Sequence, residues 1–122
     1  MLKSIIGICF DCPNAIVLGE FYYKLTGWDK EIEGKEYVAL RTPEGILFVF
    51  QTVENYMPPI WPWDNERQQQ MAHIDFYVEN LIEAESLAIK HGAKKSETQY
   101  YEDSTVMIDP AGHPFCLSTV LQ

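Results

Sequence analysis

Cysteine is scarce in this sequence, and so are long hydrophobic runs. The 122 residues include three cysteines, an odd number without the spacing of a disulfide framework, so we expect reduced thiols and a cytoplasmic protein. No apolar run approaches the roughly 20 residues that cross a bilayer, so a membrane partner is not expected. The opening stretch MLKSIIGICF is only briefly apolar and lacks a small-residue cleavage site, so we expect no signal peptide.

Positive charge is also in short supply. Nine lysines and arginines stand against eighteen acidic residues, which gives a net charge of −9. Because the sequence has no basic patch to neutralise phosphates, nucleic acid is a poor candidate partner. Hydrophobic residues make up 47% of the chain and aromatic residues 13%, which is typical of a globular protein. This length fits a single domain with a buried core.

The most informative feature that is present is an internal repeat. Residues 42–45, TPEG, align with residues 109–112, DPAG, at a shift of 67 positions. A shift of 66 aligns residues 7–21 with residues 73–87, and one extra loop residue accounts for the difference. The aligned pairs include Gly7 with His73, Asn14 with Asn80, and Val49 with Cys116. A repeat of this length indicates two copies of one supersecondary unit.

Each copy predicts the same order of elements. An alternating apolar strand comes first, formed by Ile6, Ile8 and Phe10 in one copy and by Ile74, Phe76 and Val78 in the other. A helix follows, begun by Asn14 or Asn80 and stopped at Gly27 or Gly92. Three short strands complete each copy, near residues 28–32, 37–41 and 46–52 and near residues 94–100, 105–108 and 115–120. The predicted fold class is therefore α+β, with two tandem βαβββ modules.

Residues 54–71, ENYMPPIWPWDNERQQQM, link module one (about 1–53) to module two (about 72–122). The segment holds three prolines and two tryptophans, so it predicts a loop with fixed bends rather than a helix. Trp61 and Trp63 are large enough to pack this loop down onto the protein. Two interpretations stay open, a plain cover between the modules and a lid over a pocket.

The motifs FDCPN, FYYKLTGW, PPIWPW, QQQMAHIDFYVENL and DPAGHPFCL, set in a tandem βαβββ frame, resemble the glyoxalase-like branch of the vicinal oxygen chelate superfamily. That superfamily includes glyoxalases, bleomycin-resistance proteins and extradiol dioxygenases, and the resemblance covers essentially the whole chain. It implies that each module forms a curved sheet with its helix outside and that the two sheets form one cup for a small molecule. It also implies that chains pair as homodimers.

Metal-using members of this superfamily hold their ion with four side chains, two from each module. Carried over by position, the resemblance places these slots at Gly7, Val49, His73 and Cys116, and Cys116 stands where metal-using relatives have a carboxylate. Gly7 has no side chain and Val49 has no donor atom, so two ligands remain, fewer than the three that a catalytic zinc site uses. We therefore expect no metal cofactor, while a divalent metal bound in another way stays open.

Strand alternation predicts which side chains face the cup. If Ile74 and Phe76 pack on the helix, then His73, Asp75 and Tyr77 point the other way. The same rule in the other strands, together with Trp61 from the loop, gives the predicted ligand-binding residues, which are Cys9, Val49, Gln51, Trp61, His73, Asp75, Tyr77 and Cys116. A concave apolar surface with a few convergent polar groups is typical of a small-molecule site.

His73 and Asp75 form the candidate catalytic pair. They stand two positions apart, about 7 Å along a strand, too far for a direct hydrogen bond unless their side chains bend. In one hypothesis His73 acts as a base near neutral pH and both side chains polarise one ligand. In the other, both only satisfy backbone groups and water. Cys9 and Cys12 form a C-x-x-C pair, but alternation sends them to opposite faces, which argues against a redox role.

Three functions stay open at this point. The first is a binding protein of the bleomycin-resistance type, which takes a planar or aromatic molecule without metal and offers aromatic stacking surface. The second is a lyase, isomerase or dioxygenase type of enzyme that uses His73 and Asp75, with or without a divalent metal. The third is a structural or regulatory module whose cup is filled by its own side chains.

Overall fold

The computed structural model describes residues 1–120 and contains two βαβββ modules in tandem. The first comprises β1 (Gly7–Cys12), α1 (Ala15–Thr26), β2 (Asp29–Glu33), β3 (Tyr37–Arg41) and β4 (Leu47–Thr52). The second comprises β5 (Ile74–Tyr77), α2 (Leu81–Lys90), β6 (Lys94–Lys95), β7 (Ser104–Ile108) and β8 (Pro114–Ser118). The chain divides into two compact units, Met1–Tyr56 and the residues from Met57 onward. The predicted α+β class and the module order are confirmed.

Each module is built around one open four-stranded sheet with the same strand order. The first sheet runs β1-β4-β3-β2 and the second runs β5-β8-β7-β6. In each sheet the first strand pairs in parallel with the last strand of its module, and the other pairs are antiparallel. Parallel neighbours need a long crossover, which here consists of the helix and the two intervening strands.

Asparagine side chains cap both helices, as the sequence predicts. Oδ1 of Asn14 accepts hydrogen bonds from the backbone N–H groups of Ile16 and Val17, at 3.0 and 3.2 Å. Oδ1 of Asn80 accepts one from the N–H of Glu83 at 3.0 Å. These bonds satisfy donors that the first turn of a helix leaves without intrahelical partners. Neither helix within residues 1–120 is long and apolar enough to cross a membrane.

Strand alternation governs burial in β1, β4 and β5, whereas three successive residues are buried in β3 and in β7. In β4, Phe48 and Phe50 are buried, whereas Val49 between them is half-buried. Tyr22 of α1 stacks on Phe50 with ring centroids 5.1 Å apart, so aromatic packing joins the helix to the sheet in the first module. In β8 of the second module, Phe115 is almost fully buried. The residues of β4 and β8 that point toward the helix, Phe50 and Phe115 among them, therefore belong to the core.

Two strand predictions need correction. Ile6 precedes β1 and is exposed, so the inward face of that strand begins at Ile8. β6 is two residues long and does not reach residue 100. Beyond it the Gln99 side chain takes over, donating to the carbonyls of Ser96 and Val106 and accepting from the N–H of Val106. A side-chain amide thus replaces part of the expected ladder.

Gly19 allows α1 to lie close to β3, because a Cβ at this position would come within 2.9 Å of the Val38 Cβ. We expect Gly19→Ala to lower the free energy of unfolding measured in urea. Overpacking costs about 1–3 kcal/mol, and because the Val38 Cγ1 would lie closer still than its Cβ, we expect a cost above the roughly 1 kcal/mol by which alanine is preferred to glycine in a helix. The matched control is Gly34→Ala, whose Cβ would have its nearest contact at an ordinary 3.5 Å. Equal stability of both variants would contradict this account.

Candidate functional site

The pairing of β5 with β8 determines which side chains meet on the face of the second sheet that carries Asp75 and Cys116. Ile74 and Phe76 are half-buried, whereas Asp75 and Tyr77 are exposed, as alternation predicts. In the parallel register Asp75 lies opposite Cys116. Backbone pairing therefore sets a carboxylate and a thiol side by side on one face.

A cleft of about 900 Å³ lies on this face, and every residue that lines it belongs to the compact unit that begins at Met57. Its aromatic lining consists of Trp61, Phe76, Tyr77, Tyr100 and Tyr101. Its polar lining consists of Gln70, His73, Asp75, Gln99, Asp103, Ser104, Cys116 and Ser118. Aromatic surface with a limited set of polar groups is the usual composition of a small-molecule site.

Five of the eight predicted ligand-binding residues line this cleft, namely Trp61, His73, Asp75, Tyr77 and Cys116. The other three share one face of the first module's sheet. Cys9 lies opposite Val49 in the β1–β4 register, and Nε2 of Gln51 donates to Oδ1 of Asp11 at 2.6 Å. A role for these three residues in binding stays a prediction.

Cys9 and Cys12 lie on opposite faces of β1, as alternation predicts. Cys9 is exposed and Cys12 is buried, and no disulfide joins cysteines within residues 1–120. Burial, followed by the charge of Asp11, raises the pKa of the Cys9 thiol. A redox-active cysteine needs a lowered pKa, so the shift runs against that role, as the alternation argument predicts.

His73 and Asp75 approach each other more closely than their backbone spacing requires. Nε2 of His73 lies 3.2 Å from Oδ1 of Asp75, so the side chains bend toward each other across about 7 Å of strand. His73 immediately precedes β5 and lies outside its ladder, which leaves the side chain this freedom. Because 37% and 68% of the two side chains are exposed, water screens their attraction and the pair adds little stability.

Cys116 completes a compact group with this pair. One donor atom from each of the three residues lies within 4.8 Å of the other two. Burial raises the pKa of the Cys116 thiol, and the charge of Asp75 and a hydrogen bond to its carboxylate raise it further, to about 11. Near neutral pH the thiol on its own is therefore protonated and a poor nucleophile.

His73, Asp75 and Cys116 provide three potential metal ligands, whereas the four family positions provide only two, His73 and Cys116. A catalytic zinc site uses three protein ligands, and His73, Asp75 and Cys116 provide a nitrogen, an oxygen and a sulfur within one module. Asp75 is not one of the four ligand positions that the family resemblance gives, so the sequence predicts only two ligands. The group therefore needs no donor from Gly7 or Val49 to reach three.

The loop between the modules contributes Trp61 to the cleft. Its ring meets the ring of Tyr100 edge to face, with centroids 6.2 Å apart. Nε1 of Trp61 and Oε1 of Gln70 are both buried, and neither has a hydrogen-bond partner within residues 1–120. Trp63 is 58% exposed and does not line the cleft. The two tryptophans of the PPIWPW motif therefore differ in position.

The sequence pattern does not single out several of the lining residues, among them Gln70, Gln99, Tyr100 and Tyr101. They lie outside the strands, so strand alternation has nothing to say about their direction. The adjacent tyrosines were the available signal, because large exposed side chains in a cluster often mark a binding surface.

A comparison with protein-family models shows that residues 7–118 match the model of the glyoxalase-like domain. No match was found among curated proteins. A glyoxalase/bleomycin resistance protein/dioxygenase family enzyme from Burkholderia phytofirmans PsJN has a similar structure, with a TM-score of 0.72 and 15% identity. The alignment covers 98% of this chain and 100% of that one.

Two further solved structures show the same similarity. A possible glyoxalase from Bacillus cereus aligns with a TM-score of 0.69 and 12% identity, covering 96% of this chain and 99% of that one. Lactoylglutathione lyase from Agrobacterium tumefaciens aligns with a TM-score of 0.64 and 12% identity, covering 96% and 93%. At such low identities these likenesses concern the fold alone.

The contribution of Asp75 to the pKa of Cys116 can be measured directly. We expect Asp75→Asn to lower that pKa, because it removes the negative charge that opposes thiolate formation. Site-resolved alkylation by iodoacetamide, followed by mass spectrometry across pH, should then show faster reaction at pH 8 to 9. Each unit by which the pKa falls raises the thiolate fraction about tenfold.

The matched control for this measurement is Asp103→Asn, which removes a different carboxylate of the same cleft. All variants carry Cys9→Ser, because the exposed Cys9 thiol would otherwise consume reagent. An Asp75→Asn alkylation profile that coincides with the wild-type profile would show that burial alone sets the pKa.

Proposed function

The chain belongs to the glyoxalase-like domain family, and from that premise we propose that it binds a small, largely planar organic molecule in the cleft of its second module. The cleft itself carries the proposal. Its volume of about 900 Å³ lies within the usual range for ligand sites, roughly 300–1,000 Å³, and its lining has the aromatic and polar composition of such sites.

Aromatic side chains give the cleft its stacking surface. Tyr77, Tyr100 and Tyr101 are all exposed, and Trp61 stands edge to face with Tyr100. Large exposed rings gathered in one place lose contact with water when a flat molecule lies against them, and stacking adds roughly 0.5–1.5 kcal/mol per ring pair. This arrangement supports a planar or aromatic ligand.

The charge of the lining narrows the ligand class further. Asp75 and Asp103 line the cleft, and its lining residues within the described chain include no lysine or arginine. A ligand with an anionic group would meet uncompensated negative charge there, whereas a cationic or hydrogen-bond-donating group would meet acceptors. The proposed ligand is therefore a planar molecule that carries an amine or other donor groups.

An enzyme of the lyase, isomerase or dioxygenase type is the second candidate, and the His73–Asp75 contact favours it. When Nε2 of His73 donates its hydrogen to Oδ1 of Asp75, 3.2 Å away, the carboxylate fixes the tautomer. Nδ1 is then the basic nitrogen, and it is available to accept a proton from a molecule in the cleft. We also propose a cytoplasmic location, which the odd number of cysteines without framework spacing supports, and pairing as a homodimer, which the family resemblance supports.

Ligand binding is tested with a panel of planar aromatic compounds in cationic, neutral and anionic forms, by the shift in melting temperature. We expect cationic and neutral members to raise the melting temperature and anionic members to leave it unchanged. Trp61→Ala should weaken binding of a positive compound about tenfold, which corresponds to about 1.4 kcal/mol. Trp63→Ala is the matched control, because Trp63 does not line the cleft, and it should bind as the wild type does.

Two precautions make this binding test decisive. If Trp61→Ala unfolds, then Tyr100→Ala replaces it, because Tyr100 is exposed and its loss leaves the core intact. A panel without any shift, or equal losses in the Trp61 and Trp63 variants, would overturn the proposal that the cleft binds such molecules.

The catalytic candidate has a separate test. Compounds that bind are incubated with the protein and examined by mass spectrometry and chiral chromatography for cleavage, oxygenation or isomerisation. We expect His73→Gln to abolish any turnover while binding changes by less than about tenfold, since the base acts in the transition state more than in the bound complex. Unchanged turnover in His73→Gln would exclude His73 as the base.

A further inference from the structure

His73, Asp75 and Cys116 form a group of three potential metal ligands, and binding of a planar molecule does not require this group. Their donor atoms, a ring nitrogen, a carboxylate oxygen and a thiol sulfur, lie within 4.8 Å of one another. Among the described residues 1–120 this is the group of three or more histidine, cysteine or acidic side chains close enough to hold an ion. The convergence of three different donor types calls for an explanation beyond stacking of a planar ligand.

Backbone structure places two of these donors. Asp75 and Cys116 are partners in the parallel β5–β8 register, so the ladder holds them at neighbouring positions. His73 comes one residue before β5, and its ring already turns toward Asp75. Two donors at paired strand positions and a third just before the strand, all in one module, are a suitable frame for an ion.

The distances suit a tetrahedral ion after small side-chain rotations. Zinc bonds to nitrogen, oxygen and sulfur are about 2.0–2.3 Å long, so tetrahedral donors lie roughly 3.3–3.8 Å apart. The present upper limit of 4.8 Å exceeds this by about 1 Å. His73 and Asp75 are partly exposed, which gives their side chains room to close that gap.

We propose that His73, Asp75 and Cys116 form a three-ligand site for a thiophilic divalent ion of the zinc class, contained wholly within the second module. Sulfur and imidazole ligands select zinc and cobalt over magnesium, calcium and manganese. Asp75 is the new element, because it lies outside the four positions at which the superfamily places its ligands. The proposal departs from the expectation of no metal, which counted only His73 and Cys116.

Such an ion adds a capacity that the cleft otherwise lacks. With three protein ligands it keeps one position for water or for an oxygen or nitrogen donor of a molecule in the cleft, and it supplies Lewis-acid polarisation there. The ion binds whether or not an organic molecule is present, so this proposal stands apart from the proposed function.

The test is a titration of the untagged, chelator-stripped protein with cobalt(II) under anaerobic conditions, followed by displacement with zinc(II). We expect one equivalent of cobalt to produce a sulfur-to-cobalt charge-transfer band and the visible bands of a tetrahedral ion. Cys116→Ser should abolish the charge-transfer band, and Asp75→Ala should weaken cobalt binding at least about tenfold, the smallest loss expected when even an outer partner of a metal site is removed.

Matched variants separate this site from adventitious binding. Cys9→Ser removes the exposed thiol of the other module, and Asp103→Ala removes a cleft carboxylate outside the group, so both should titrate as the wild type does. Circular dichroism and melting temperature check that each variant is folded. The proposal is overturned if no charge-transfer band forms, if Cys9→Ser rather than Cys116→Ser abolishes it, or if Asp75→Ala binds cobalt as tightly as the wild type.

The outcomes also distinguish this proposal from the proposed function. The titration contains no organic compound, and the compound panel can be repeated on the stripped protein. Binding of a compound without cobalt binding would overturn the metal site alone. Cobalt binding without compound binding would support the metal site and overturn the planar-ligand proposal.

Discussion

Backbone hydrogen bonds between β5 and β8 set Asp75 opposite Cys116, and the chemistry of the cleft depends on that register. A slip of β8 by one residue would turn Cys116 toward the core and bring an apolar residue to the cleft. The core guards against such a slip, because the buried Phe115 beside Cys116 would have to face water. Apolar packing on one face of the sheet therefore fixes the polar arrangement on the other.

Much of this arrangement follows from the sequence through two periodicities. The repeat at 66–67 positions predicts the two modules, and the period of two along a strand predicts that Asp75 and Tyr77 leave the core. The contact between His73 and Asp75 could not be predicted this way, because it depends on how side chains bend beyond their backbone spacing. The place of Tyr100 and the role of Gln99 could not be predicted either, since neither lies in a strand or helix.

The two modules show how one backbone frame can carry different chemistry. Cys9 pairs with Val49 in the first sheet as Asp75 pairs with Cys116 in the second, and these positions are also equivalent in the internal repeat. The first module therefore keeps the register, but a valine stands in place of Cys116 and Gly7 in place of His73, while its nearby carboxylate, Asp11, accepts a hydrogen bond from Gln51. The core residues stabilise the same fold in both modules, and the side chains on the opposite face of each sheet can therefore differ.

The strand pair that carries the site also joins the most distant parts of its module. Ile74 and Phe115 are register partners 41 positions apart, whereas β7 and β8 are joined by a short hairpin turn. Contacts distant in sequence carry a larger loop-closure entropy and form more slowly than local ones. The β7–β8 hairpin is thus expected to form before β5 docks, so the site is completed only when β5 docks. An occupant that bridges β5 and β8 would bind only the docked arrangement, so it would stabilise the folded module as well as fill its cleft.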